Sequence, residues 1–149
     1  MKKTIFALAS LIAAVASVMP AHASDNKQML PIAAALADDT SKDRLGDSVK
    51  FFFGNQPVPP VLAKLGSNST SRKTNAFGKS AERACNWAFL SAMLALEKRA
   101  HELGANAVIN IVSNYGNVEN SSATEFECHV GGIMAGVAFK GEFVKIADK

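Results

Sequence analysis

The segment from Ser80 to Gly104, SAERACNWAFLSAMLALEKRAHELG, constrains the fold more than any other part of the chain. Ser80 is a good N-cap, and Gly104 suits the position just past the C-terminal end of a helix. Only two residues between positions 84 and 96 are polar. A helix that packs on one sheet needs a single apolar stripe, whereas this one is apolar around most of its circumference. We therefore predict a long helix buried on two sides, one against a sheet and the other against the N-terminal segment or another subunit.

The segments around this helix alternate with the period of two that indicates β-strands. A strand, the helix and then three strands joined by short turns predict an α+β fold, in which one long helix packs on a small antiparallel sheet. A short helix is expected over residues 29–36. The polar stretch 65–78 is at best weakly strand-like, and its central SNSTSR reads as a binding loop or a linker. The four predicted strands cover residues 48–54, 105–115, 122–130 and 133–146.

The first 23 residues have the pattern of a secretory signal peptide. Two lysines are followed by an apolar run from Thr4 to Met19, and positions 21 and 23 are occupied by the small residues Ala21 and Ala23. The run is shorter than the roughly 20 apolar residues of a membrane span. We expect cleavage between Ala23 and Ser24, which would give a periplasmic or secreted protein with no stable membrane insertion.

The chain that remains after cleavage is close to neutral. The formal net charge falls from +3 to +1, because the leader contains two lysines and no acid. A near-neutral domain lacks the basic footprint of a nucleic-acid binder, so no nucleic-acid partner is expected. The mature chain is short enough for one domain. We assign residues 24–46 to an N-terminal segment with a short helix and residues 47–149 to a single α+β domain.

Cys85 and Cys128 are the only cysteines, and an even number in an exported chain favours a disulfide. The alternation places Cys128 on the strand face of Phe126 and Val130, while Cys85 lies on the apolar helix. A helix on a sheet can bring two such residues within the Cα separation of about 4.4–6.8 Å that a disulfide tolerates. We predict a Cys85–Cys128 bond. Two buried free thiols, or an intermolecular or metal-binding role, are the alternatives.

The opposite face of the same strand carries Glu125, Glu127 and His129 in one row. Carboxylates and imidazole are ligands that zinc accepts in proteins. The competing interpretation is a solvated outer strand face without a ligand. A metal site would need a fourth ligand to which the sequence does not point.

Motifs for catalysis are missing at the places where they would be expected. Gly78, Lys79 and Ser80 precede the helix like the end of a phosphate-binding loop, but that loop requires a glycine where this chain has Lys73. No Gly-x-Ser-x-Gly nucleophile elbow is present. We therefore expect neither enzymatic activity nor a bound cofactor.

Four stretches within residues 47–146 carry a resemblance to a known family: ERACNWAFLSAMLALEKRAHELGANAVINI, TNAFGKS, SSATEFECH and GIMAGVAFKG. They resemble a family of small bacterial envelope proteins often labelled "excinuclease ATPase subunit"-like. The label implies a DNA-repair ATPase, with which the signal peptide and the missing phosphate loop are incompatible.

A second resemblance, carried by LGANAVINI and IMAGVAFKGEFVKI, is to heavy-metal-binding domains of the YbjQ type. The disulfide-containing RcsF lipoprotein is similar to these in fold. The resemblance implies a small sheet with one long helix and a homo-oligomer, of which a ring is one form. We predict a non-enzymatic periplasmic binding or interaction module whose partner is an envelope protein or another copy of the chain. The alternative is a metal-binding periplasmic protein that uses Glu125, Glu127 and His129.

Overall fold

The computed structural model describes residues 24–147, which form a seven-stranded sheet and three helices. The signal peptide predicted for residues 1–23 lies outside them. Within residues 24–147 no helix is both long and apolar enough to cross a membrane. The elements in chain order are β1 Asn26–Pro31, α1 Ile32–Ala37, α2 Asp39–Arg44, β2 Lys50–Phe53, β3 Val61–Asn75, α3 Ala81–Leu103, β4 Ala107–Tyr115, β5 Val118–Asn120, β6 Glu125–Val130 and β7 Met134–Ile146.

The long helix is confirmed as α3, and the predicted residues define both of its ends. The Ser80 hydroxyl accepts a hydrogen bond from the backbone N–H of Arg83 at 3.2 Å. Gly104 ends the helix at φ 71°, and its N–H donates to the carbonyl oxygens of Ala100 and His101. A side chain at this backbone angle would be strained, which explains the glycine.

Helix α3 is buried on two sides, as its composition predicted. Phe89 and Met93 are fully buried in the core that α3 shares with the sheet. Ile32 and Ala35 of α1 belong to the same core. The backbone N–H of Gly46 also donates to the Glu97 carboxylate of α3 at 2.8 Å. The N-terminal segment therefore covers the second side, which was one of the two expected alternatives.

The sheet is larger than predicted, and it is not purely antiparallel. Its strand order is β1-β6-β7-β4-β2, and β5 pairs with β4. Strand β3 pairs with β7 along one edge, while β6 and β4 pair with successive parts of the opposite edge of β7. Strands β2 and β4 are parallel, and the chain forms β3 and then α3 between them. The prediction of an α+β fold is thus confirmed, whereas the prediction of a small antiparallel sheet was wrong.

Strand β3 is the clearest departure from the sequence-based prediction. Its 15 residues include the SNSTSR stretch that was interpreted as a loop or linker. The strand pairs with β7 from Val61 to Asn75, with two irregularities in register. All of its residues are exposed or half-exposed, so no alternation of apolar and polar residues marks it as a strand. Backbone pairing to a buried central strand is what holds it.

The core between α3 and the sheet is centred on four buried phenylalanine rings. Phe89 of α3 lies 4.6 Å from Phe126 of β6 and 5.7 Å from Phe139 of β7, measured between ring centroids. Phe53 of β2 adds the fourth ring, 5.8 Å from Phe139. All four rings are at most 3% exposed. This phenylalanine cluster ties one helix to three strands of the sheet.

Strand β4 contains a bulge opposite Gly141 of β7. Register between β4 and β7 shifts at Gly141, where Asn110 of β4 adopts φ 51°. A Cβ on Gly141 would lie 2.7 Å from a methyl carbon of Val108. The bulge reverses the alternation of β4, so Ile111 joins the phenylalanine side of the sheet and Ile109 the opposite side.

Candidate functional site

The predicted disulfide between Cys85 and Cys128 is present. It joins α3 to β6 with a Cα–Cα separation of 5.9 Å. Both cysteines are fully buried beside the phenylalanine cluster. The chain has no other cysteine, so neither a thiol nucleophile nor a thiolate ligand remains in the oxidised protein.

The structure divides the predicted row of Glu125, Glu127 and His129. Glu125 is exposed at the first position of β6, where it pairs with Pro31 of β1. Glu127 is only 6% exposed, and one of its carboxylate oxygens lies 2.7 Å from Nε2 of His129. The interpretation as a solvated face therefore holds for Glu125 and is wrong for the buried Glu127.

His129 lies between two carboxylates. Its Nδ1 is 2.7 Å from the Asp25 carboxylate, and its Nε2 is 2.7 Å from Glu127. The ring stacks on Tyr115 of β4 at 3.5 Å between centroids, with an interplanar angle of 4°. The stacking and the two polar contacts hold the imidazole ring in one orientation.

Glu127 is held by groups from three strands. Lys27 of β1 contacts it at 2.8 Å, and the Asn120 amide of β5 donates to it at 2.9 Å. Burial on its own would raise the pKa of this carboxyl, but the hydrogen bonds from Lys27, Asn120 and His129 outweigh burial and lower the pKa to about 2. The backbone N–H of Glu127 donates to the Ser113 hydroxyl at 2.9 Å. We call the group of Asp25, Lys27, Asn120, Glu127 and His129 the β6 ion cluster.

The nitrogen and oxygen atoms of the β6 ion cluster, which are the atoms that could bind a metal ion, contact one another instead. The two carboxylates occupy opposite sides of the imidazole ring, since each contacts a different ring nitrogen. Across residues 24–147 no group of three or more His, Cys, Asp or Glu side chains is arranged to hold a metal ion. Metal binding through Glu125, Glu127 and His129 stays a prediction from the sequence.

An apolar concavity lies on the face of the sheet opposite α3, near the end of β7. Its volume is about 750 Å³. Apolar side chains line most of it, and polar groups stand at its rim. The residues that line this proline-loop groove are Asp47, Ser48, Lys50, Phe52, Pro57, Val58, Pro59, Asn106, Ile146 and Ala147.

Hydrogen bonds hold the proline loop, which is the segment 54–60 with Pro57, Pro59 and Pro60, in one position against the sheet. The Gln56 side chain accepts from the backbone N–H of Phe53 and donates to the Ala123 carbonyl, both at 2.8 Å. The Asn106 amide accepts from the N–H of Ile146 at 2.8 Å and donates to its carbonyl at 3.0 Å. Proline rings fix φ and reduce the conformational freedom of the loop. The groove is therefore a pre-formed concavity.

Several members of these two sites carried no recognisable signal in the sequence. Asp25, Lys27 and Asn120 are polar residues on segments that were not predicted to be strands, so nothing placed them beside β6. Phe52 and Ile146 do alternate with core residues on their strands. That alternation could have indicated a second apolar surface on the outer side of the sheet.

Comparison with known proteins adds no relative. No protein-family model, no curated protein and no solved structure matches this chain.

Proposed function

We propose that this protein is a non-enzymatic binding module of the bacterial cell envelope, and that the proline-loop groove holds its ligand. The observation that carries this proposal is the groove itself. Its volume of about 750 Å³ lies in the range of roughly 300–1,000 Å³ that is usual for small-molecule sites. Apolar walls with a few polar groups at the rim are the usual composition of such sites.

The lining indicates a small amphipathic ligand. Phe52, Val58 and Ile146 form one continuous apolar cluster with the outer face of the sheet, and they suit an apolar body. Lys50 and Asp47 stand at the rim, where both are exposed and can meet a polar or charged head group. An apolar body is favoured because burying it removes its surface from water, and the rim then fixes its orientation.

Binding of 1-anilinonaphthalene-8-sulfonate, which combines an apolar ring system with an anionic group, tests the groove. We expect saturable fluorescence enhancement with the folded protein. Val58→Asp should weaken binding at least about fivefold, because it places a charge on the apolar wall. Val118→Asp, at an exposed valine that does not line the groove, is the matched control. Equal affinity of the two variants, or no saturable binding, would refute the groove as the site.

The location in the envelope is supported by the disulfide and by the leader pattern. Disulfides persist in oxidising compartments such as the periplasm. Intact mass of protein taken from the periplasm, with and without reduction before alkylation, tests this. We expect a chain that begins at Ser24 and takes up two alkyl groups only after reduction. A mass that retains residues 1–23, or two thiols alkylated without reduction, would contradict the assignment.

Self-association is an expectation from the YbjQ-type resemblance, and we keep it as a part of the proposal. The second side of α3 gives it no support, because α1 covers that side within the chain. Sedimentation velocity over a range of protein concentrations would distinguish a homo-oligomer from a monomer.

A further inference from the structure

Two turns meet at the end of the molecule where β7 begins. One turn connects β3 to α3, and the other connects β6 to β7. The backbone N–H of Ala76 in the first turn donates to the carbonyl of Ile133 in the second at 2.8 Å. Asn75, at the end of β3, pairs with Met134, at the start of β7. The two turns are therefore fixed beside each other.

Three large apolar side chains on these turns and at the start of β7 are exposed to solvent. Phe77 is 74% exposed, Ile133 is 66% exposed and Met134 is 42% exposed. We call Phe77, Ile133 and Met134 the turn patch. Isolated exposed apolar residues are ordinary on protein surfaces, but a contiguous group of large ones indicates a surface that is covered by something else.

The chain holds Phe77 in this exposed position with several hydrogen bonds. The Asn75 side chain accepts from the N–H of Phe77 at 2.7 Å. Lys79 donates its backbone N–H to the Ala76 carbonyl at 3.1 Å and its ammonium to the Asn75 carbonyl at 3.0 Å. Ala76 is itself buried and anchors the turn to the core. The exposure of Phe77 is thus a fixed feature of the fold and not the result of a loose loop.

Basic residues flank the turn patch on the segment that connects β3 to α3. Arg72, Lys73 and Lys79 lie within five residues of Phe77, and the first acidic residue after it is Glu82. Residues 130–139 carry no charge at all. Lys73 lines the same small cavity as Met134, so a positive charge lies directly beside the patch. The nearby acid Asp25 lines this cavity too, but its carboxylate is bonded to His129.

We propose that the turn patch inserts reversibly into an anionic lipid bilayer surface. Large apolar side chains enter the boundary between head groups and acyl chains, while adjacent lysines attract anionic head groups. The turn patch combines exposed apolar side chains with adjacent lysines at one end of β7. The proline-loop groove lies at the other end of this strand, up to roughly 40 Å away along an extended chain of this length. The two surfaces are separate, so this inference goes beyond the proposed ligand site.

Sedimentation with unilamellar vesicles tests the proposal. Vesicles of phosphatidylethanolamine and phosphatidylglycerol are compared with vesicles of phosphatidylcholine alone, at low and at high salt. We expect binding to the anionic vesicles only, and weaker binding at high salt because salt screens the lysines. Phe77→Ser should lower the vesicle affinity at least about tenfold, since its ring contributes the largest inserted area. Leu62→Ser is the matched control, because Leu62 is 68% exposed and lies outside the patch.

A charge variant provides an independent arm if Phe77→Ser fails to fold. Replacing Lys73 and Lys79 together by glutamine should lower the affinity roughly 25-fold, about fivefold for each lysine. The same change at Lys98 and Lys145, two exposed lysines outside the patch, should leave the affinity unchanged.

Four results would overturn the proposal. These are the absence of vesicle binding, equal binding to neutral vesicles, equal loss in the control variants, and a dimer in sedimentation velocity that Phe77→Ser converts to monomer. The last result would make the turn patch a contact between copies of the chain. Val58→Asp should leave vesicle binding unchanged, which separates the fate of this proposal from that of the groove.

Discussion

The two faces of strand β6 are both buried, and they are stabilised by different interactions. On the inner face, Phe126 and Cys128 are fully buried against α3 and β7. On the outer face, Glu127 and His129 are buried or nearly so among charged and polar partners from β1 and β5. Neighbouring residues of one strand therefore belong to two different kinds of core.

The two faces of β6 require different contacts from the rest of the chain. Apolar burial is non-directional, so many arrangements of the inner residues would satisfy it. A buried carboxylate is stable only when specific donors reach it. Hydrogen bonds from Lys27 and Asn120 lower the pKa of Glu127, which makes the outer face sensitive to ionisation. The inner face contains no ionisable partner and should be indifferent to pH.

The largest effect should come from the inner face. Phe126→Ala removes a fully buried ring that contacts Phe89 and Phe139. We expect it to lower the free energy of unfolding by about 3–5 kcal/mol, from lost transfer free energy and from the cavity that remains. Equilibrium unfolding in urea at neutral pH measures this change.

Phe77→Ala is the matched control for that experiment. It deletes the same ring at a position that is largely exposed, so the expected change is within about 0.5 kcal/mol. Comparable losses in the two variants would contradict the assignment of Phe126 to a packed core.

The inner face is also the part of the molecule that sequence patterns predicted best. The apolar run of α3, its cap at Ser80 and its end at Gly104 are local signals, and all were confirmed. The shared face of Phe126 and Cys128 followed from the period of two along β6. Strand β3 was missed because its side chains are exposed, and pairing with a distant strand leaves no local pattern.

The disulfide should give the next largest effect. It connects residues 43 positions apart, and in the chain-entropy model a loop of that length contributes about 3–4 kcal/mol by restricting the unfolded chain. Replacing Cys85 and Cys128 together by alanine should lower the free energy of unfolding by about this amount. Urea unfolding of the oxidised protein and the double variant measures the difference.

The double variant avoids a single buried thiol, which could form intermolecular bonds. Reducing agent should destabilise the wild-type protein and leave the variant unchanged, which separates loss of the bond from altered packing. A loss below about 1 kcal/mol would show that the helix–strand contact is sufficient without the bond.

The candidate sites were less predictable than the core. Glu127 and His129 were singled out by their spacing, but their partners come from β1 and β5, which had no strand signal. Which residues meet at a surface depends on long-range register, and a one-residue shift of β1 would remove Lys27 from Glu127. The proline-loop groove likewise forms from three separate segments that the sequence does not place together.

The outer face of β6 should make the free energy of unfolding depend on pH. Glu127 has a pKa of about 2 in the folded protein, against 4.5 as its ordinary value. Between these values the unfolded chain binds a proton that the folded protein does not, so acid favours unfolding. The contribution of the carboxylate is fully present above about pH 4.5 and is lost as the pH falls towards 2. At neutral pH it amounts to about 3 kcal/mol.

Glu127→Gln tests this assignment when its unfolding free energy is measured in urea from pH 7 down to pH 2. The variant should be less stable than wild type at pH 7, and the difference should shrink to less than about 1 kcal/mol at pH 2, where the wild-type carboxylate is also being protonated. Glu125→Gln, on the same strand but exposed, should differ from wild type by no more than about 0.5 kcal/mol throughout. A Glu127→Gln difference that is constant with pH would mean that packing of the side chain, and not its charge, stabilises this face of β6.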